Sequence, residues 1–192
     1  MSYRSRVSSP RMLEIDAIAK TTRKAALAKA REIFLIEPTI IDLVQLTVGL
    51  VIPRPNLTYE SKRLAGFLDC RGEAPEISYE EYDPVGRQHF SIAHECGHFV
   101  LHHVLASGYA HACPQSVIDP VEEDGEGNLR EMSEADREAE ADAFAAAFLM
   151  PREEFEASVQ HYGFSARFHA FRFQVSGPAL VRRWEWLRTC AQ

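Results

Sequence analysis

His94-Glu95-Cys96-Gly97-His98 sets two imidazoles four residues apart inside an apolar run, Phe90 to Leu101, that no proline interrupts. On a helix, residues four apart share a face one turn from each other, so both rings can reach one ion. Glu95 lies roughly 100° round the helix from His94, close enough to reach a water on that ion without binding it. This is the residue set of a zinc hydrolase, two ligands and a general base. A tetrahedral catalytic zinc takes three protein ligands and keeps a fourth position for water. Forty residues beyond His98, in a second strongly helical stretch, comes Glu138-Ala139-Glu140-Ala141-Asp142. Glu138 and Asp142 share a helical face: Glu138 to bind the ion, Asp142 to accept a hydrogen bond from the outer nitrogen of a ligating histidine. Zinc is the expected cofactor, and the same donors suit manganese or cobalt. The competing reading makes His94 and His98 ordinary core or surface histidines and Glu138 part of a solvated acidic face. Two helices with complementary ligand spacing weigh against it.

These side chains converge only if the two helices pack closely. Asp83-Pro84 reads as cap and first-turn proline of the histidine helix, which is expected to run to about Leu105. Ser133 caps the glutamate helix, Glu134 to Met150, and Pro151 ends it. Ala139, Ala141, Ala143, Ala145, Ala146 and Ala147 keep that helix slender enough for close approach.

Upstream, residues 10–35 read as a helix after Pro10, and Thr39 caps a second helix that Gly49 ends. Residues 50–52, 64–69 and 76–79 read as three short strands, with 71–75 as a hairpin connection between the last two. A sheet edge beside a metal cleft can receive an extended peptide as an extra strand. Residues 106–132 contain Gly108, Pro114, Pro120, Gly125 and Gly127 with no sustained period, a long loop. It either makes a surface excursion or lines the cleft with Tyr109, His111, Glu122, Glu123 and Asp124.

Beyond Pro151 come helices over 152–162, 164–173 and 179–187, with Gly163 as a stop and Ser176 as a cap. They read as a C-terminal helical subdomain packing Phe168, Phe171, Phe173, Trp184 and Leu187, rather than as a DNA-recognition unit carrying Arg182 and Arg183. The fold class is α+β: a small three-stranded sheet, an active-site helix and a glutamate helix, with helices at both ends. The expected division is a basic helical extension over 1–35, a core over 36–151 and the C-terminal helices over 152–192.

Composition narrows the setting. With 46% apolar and 26% charged residues in a chain of 192, this is an ordinary globular composition. No run approaches the twenty apolar residues of a membrane span, and the basic N-terminus is not followed by an apolar signal core, so a cytoplasmic protein without membrane contact is expected. Cys70, Cys96, Cys113 and Cys190 lie far apart and form no Cys-x-x-Cys pair, so neither a thiolate zinc site nor a disulfide framework is suggested. The net charge of −7 counts against general nucleic-acid affinity. Residues 1–31 nevertheless hold eight Lys or Arg against two acids. That run reads as the solvated face of a helix rather than a nucleic-acid arm. Nothing in the sequence sets the oligomeric state.

The stretch from Arg87 to His98 with Leu101-His102, and the stretch from Glu138 to Pro151, resemble the two active-site blocks of the ImmA/IrrE family of zinc metallopeptidases, in the family's order. Weaker similarity runs from about Ile36 through the strands, and Phe173-Gln174-Val175-Ser176 with Ala179 and Arg183 resembles the family's C-terminal segment. The resemblance implies a compact zincin-like (minigluzincin) core, with His94, His98 and Glu138 as ligands and Glu95 as general base. His102, one turn after His98, matches a family position, where it supports the ligands or packs in the core rather than acting as a fourth ligand. It implies a protein substrate, a helix-turn-helix repressor cut to relieve repression in stress response or mobile-element control. Asp142 stands where Asn is common in the family, Cys96 replaces a usual aliphatic, and the 40-residue gap to Glu138 is long. The alternative is a zincin-fold module that sequesters a repressor or toxin without cutting it; a pure binder has no need of Glu95.

Overall fold

The structure is a computed structural model, and it describes residues 7–59, 61–101, 110–114 and 133–189. Helix α1, Ser9–Ile33, carries proline in its first turn and buries Ile15, Ala19, Ala26 and Ala30. Small residues at near-helical spacing let it lie close against another helix. It ends two residues before the expected boundary, where Phe34 turns extended and its N–H bonds the Ala30 carbonyl. Thr39 caps α2, Ile40–Gln45, in a reciprocal pair with Asp42.

The three expected strands are β1, Leu50–Arg54, β3, Lys62–Asp69, and β4, Glu76–Glu80. The sheet has two more, β2, Thr58–Tyr59, and β5, Ala110–Pro114, so the three-stranded expectation is corrected to five. The order is β1-β4-β3-β2, with β5 also on β3; β1 and β4 are parallel and the other pairs antiparallel. Two exposed residues in β2 leave no alternation to read. β5 falls within the expected loop, and its pairing partner lies far away in the chain, so local pattern carries no trace of it. It fills the edge of β3 over Leu64–Asp69.

As an inner strand, β4 buries four consecutive residues, Ile77 to Glu80. Burial pushes the Glu80 carboxyl upward, but backbone N–H groups of Tyr82, Leu57 and Asn56 donate to it at 3.1, 2.7 and 3.1 Å and hold it below its usual range.

Helix α3, Val85–Val100, starts one residue later than a cap at Asp83 requires. Pro84 takes the cap position, Asp83 instead pairs with Arg87 at 3.1 Å, and the Gln88 amide donates to the Glu81 and Asp83 carbonyls. The expected continuation beyond Leu101 lies outside the described residues. Helix α4, Glu134–Leu149, begins at a Ser133/Asp136 capping box. Then come α5, Arg152–Tyr162, stopped by Gly163 at φ 70°, α6, Ala166–Arg172, and α7, Gly177–Thr189. The Ala179 N–H donates to Ser176 Oγ at 3.3 Å, the expected cap.

The core gathers Ile15, Leu68, Ile77, Ile92, Phe144, Phe148, Phe155, Leu180 and Leu187. Two aromatics expected there are not in it: Phe171 is 85% exposed and Phe168 39%. The seven-residue α6 turns one narrow face inward, and Phe155 from α5 supplies the ring that packs on Phe173 and Trp184, with centroids 5.4 and 5.9 Å away. The basic run in α1 is not simply a solvated face either. Arg11 reaches Glu140, Lys20 pairs with Glu153, Arg23 donates to the Phe148 carbonyl, and Asp16 joins Arg183 and Arg152. Among the described residues, no helix is long and apolar enough to cross a membrane.

Candidate metal centre

Helix α3 buries an unbroken run from Ser91 to His98, because α4 covers one flank and the sheet the other. His94 and His98, one turn apart, direct Nε2 atoms toward each other at 3.0 Å, with ring centroids 4.7 Å apart. From α4, Glu138 brings Oε2 to 3.4 Å from His94 Nε2 and Oε1 to 3.2 Å from His98 Nε2. One donor atom from each of the three residues lies within 4.8 Å of the others, a cluster that could hold a metal ion.

The donor chemistry fits such an ion. Zinc–nitrogen bonds of about 2.05 Å at tetrahedral angles set neighbouring donors about 3.3 Å apart, close to the spacings found. His94 Nδ1 lies 2.9 Å from Asp142 Oδ1. An ionised carboxylate only accepts, so Nδ1 carries the hydrogen and Nε2 keeps its lone pair facing the cluster. Asp142 also lines a largely apolar pocket with Phe90, Ala139, Ala143, Arg182 and Trp186.

Two glycines bring the elements this close. A β-carbon on Gly97 would meet the Ala141 Cα and O atoms and Phe144 Cβ, all at 3.2 Å, so α3 and α4 touch almost backbone to backbone there. A β-carbon on Gly66 would stand 2.7 Å from Glu95 Oε1 and 2.9 Å from its Cγ. Strand β3 therefore lies directly on the fully buried Glu95 side chain, next along α3 from His94.

One comparison with known proteins adds to this geometry. The Peptidase_M78 family model, described as the IrrE N-terminal-like domain, matches residues 48–185, which include both helices of the cluster. The chain belongs to this family. Among curated proteins, none matches it. The Peptidase_M78 match agrees with the resemblance read from the two blocks, and begins nearer the first strand than Ile36. The family is one of metallopeptidases of the ImmA/IrrE type, and the His94, His98 and Glu138 cluster is where a divalent metal, zinc by donor set, fits this member.

The structure thus brings together His94, His98, Glu138 and Asp142, with Glu95 alongside. His102, Tyr109 and the acidic Glu122, Glu123 and Asp124 lie outside the described residues. His161 and Tyr162 are exposed at the end of α5, their rings against each other at 4.4 Å. Burial pushes the Cys96 thiol up, as suits an inert core residue. Gly66 and Gly97 are site residues that no ligand spacing marks. Each left a signal: glycine inside a helix or strand weakens it and marks a close backbone approach.

Proposed function

We propose that this protein is a zinc-dependent endopeptidase that cleaves a helix-turn-helix transcriptional repressor, relieving repression in stress response or mobile-element control. The observation that carries the hydrolytic part is the convergence of His94, His98 and Glu138 with Glu95 buried next to them. The repressor substrate rests on membership of the ImmA/IrrE-type family. Such a substrate sets the reaction in the cytoplasm.

His94, His98 and Glu138 would hold a divalent metal, and such an ion would supply Lewis acidity, making a water more acidic and polarising the scissile carbonyl. Glu95 takes the proton of the attacking water and passes it to the leaving amine nitrogen, general base and then general acid. Asp142 fixes the His94 ring and its tautomer through Nδ1. Gly66 lets β3 close over Glu95 and exclude solvent from its far side. Manganese or cobalt suits the same donors.

The test pairs the purified protein with candidate helix-turn-helix repressors, with and without chelator. A shorter, metal-dependent product is expected, absent with Glu95→Gln although that variant keeps its metal. Undiminished turnover by Glu95→Gln refutes the mechanism. Tight capture of the partner without any shorter product assigns a sequestering module instead.

A further inference from the structure

We propose that α1, which lies outside the residues matched to the family, positions the Glu138 ligand, and that Arg11 does so through Glu140. The proposal rests on reading the His94, His98 and Glu138 cluster as a metal centre.

Glu138, Ala141 and Asp142 face α3, and Ala141 is the residue in contact with Gly97. Glu140 follows Glu138 by two positions, roughly 200° round the helix, so it faces the opposite way. On that side lies α1. Arg11 donates from Nε and Nη2 to the two Glu140 oxygens at 2.8 and 2.6 Å, a forked pair on a carboxylate only 6% exposed. The hydrogen bond it donates to Glu140 is the main reason the Arg11 guanidinium is more basic than usual, and Glu14, one turn along α1, holds it at 2.9 Å. Helix α4 is therefore gripped from both sides at the level of the ligand, by Gly97 in front and Arg11 behind.

The other ties of α1 grip elsewhere. Asp16 reaches Arg183 on α7 and Arg152 on α5, Lys20 reaches Glu153 on α5, and Arg23 reaches the carbonyl of Phe148 at the far end of α4. Among the described residues, the Arg11–Glu140 pair is the ion pair that fixes the rotation of the first half of α4 from behind. Rotation matters because the Glu138 carboxylate stands about 6 Å from the helix axis, so a turn of about 20° displaces it about 2 Å. A metal–ligand bond tolerates about 0.2 Å. A guanidinium fork resists such a turn better than a single point charge.

The measurement is zinc affinity of the full chain, by competition with a chromophoric chelator, with cobalt(II) absorption as a report on ligand geometry. Arg11→Ala is expected to weaken zinc binding about tenfold or more and to alter the cobalt spectrum, as loss of supporting contacts does at metal sites. Glu140→Gln, which keeps shape and packing, is expected to act in the same direction. Arg11→Glu with Glu140→Arg restores affinity to within a few-fold. Lys20→Ala, which cuts a tie to α5 instead, leaves affinity and spectrum at wild type. Folded Arg11→Ala and Glu140→Gln proteins with wild-type affinity overturn the proposal while leaving the metal centre standing. An equal loss in Lys20→Ala overturns it too, by making α1 a general support. A wild-type chain that binds neither ion overturns the metal reading itself and this proposal with it.

Discussion

Gly66 has no side chain because Glu95 occupies the space: a β-carbon there would stand 2.7 Å from the carboxylate oxygen. Gly66→Ala must therefore move Glu95, the flexible partner, while the ligands on α3 and α4 stay in place. Turnover is expected to fall about tenfold or more, part of what a general base contributes, with zinc content unchanged. Kinetics and metal analysis on one preparation check it; wild-type kcat counts against the role given to Glu95.

Gly97→Ala tests the closeness of the two helices. Its β-carbon would meet α4 backbone at 3.2 Å, so α4 must retreat by a few tenths of an ångström. Overpacking of this kind costs about 1–3 kcal/mol, and the better helix preference of alanine returns about 1 kcal/mol. The variant is expected to be modestly destabilised in urea yet clearly weaker for zinc, since Glu138 moves with its helix.

The contrast between these glycines and the histidines explains what the sequence reveals. His94, Glu95, His98, Glu138 and Asp142 are legible because helical spacing alone decides which of them share a face. The caps at Thr39 and Ser133 and the stop at Gly163 are equally local. What stays hidden depends on distant partners. Strand β5 exists through pairing with β3 some forty residues earlier, Asp83 exchanges a capping role for an ion pair with Arg87, and Phe171 is exposed while Phe155 packs on Phe173 and Trp184. The glycines fall between: their presence in regular elements signals an approach, but only the fold says to what.

Asp142 is expected to act through the tautomer of His94. Asp142→Ala removes the acceptor 2.9 Å from Nδ1 and is expected to cost 10–100-fold in zinc affinity. Asp142→Asn keeps an acceptor oxygen and should lose far less. Chelator competition on the two variants separates them; equal losses would show that charge, not orientation, is what Asp142 provides.

Glu80 ties stability to pH. Its carboxyl lies below the ordinary 4.5 when folded, so the unfolded chain takes up the proton first as pH drops. The contribution is present above about 4.5 and is lost as pH falls through the depressed folded value. Glu80→Gln should destabilise the protein by about 2 kcal/mol near neutrality and flatten the acid limb of stability against pH. Urea unfolding at a series of pH values reads both effects, and an unchanged limb would contradict them.

The most direct measurement is zinc stoichiometry of the purified chain beside Glu138→Ala and His98→Ala. One equivalent is expected in the wild type, with binding lost or weakened by orders of magnitude in both variants. A full equivalent retained when Glu138 and His98 are each removed would show that the ion, if any, sits elsewhere, and the three-residue centre would be wrong.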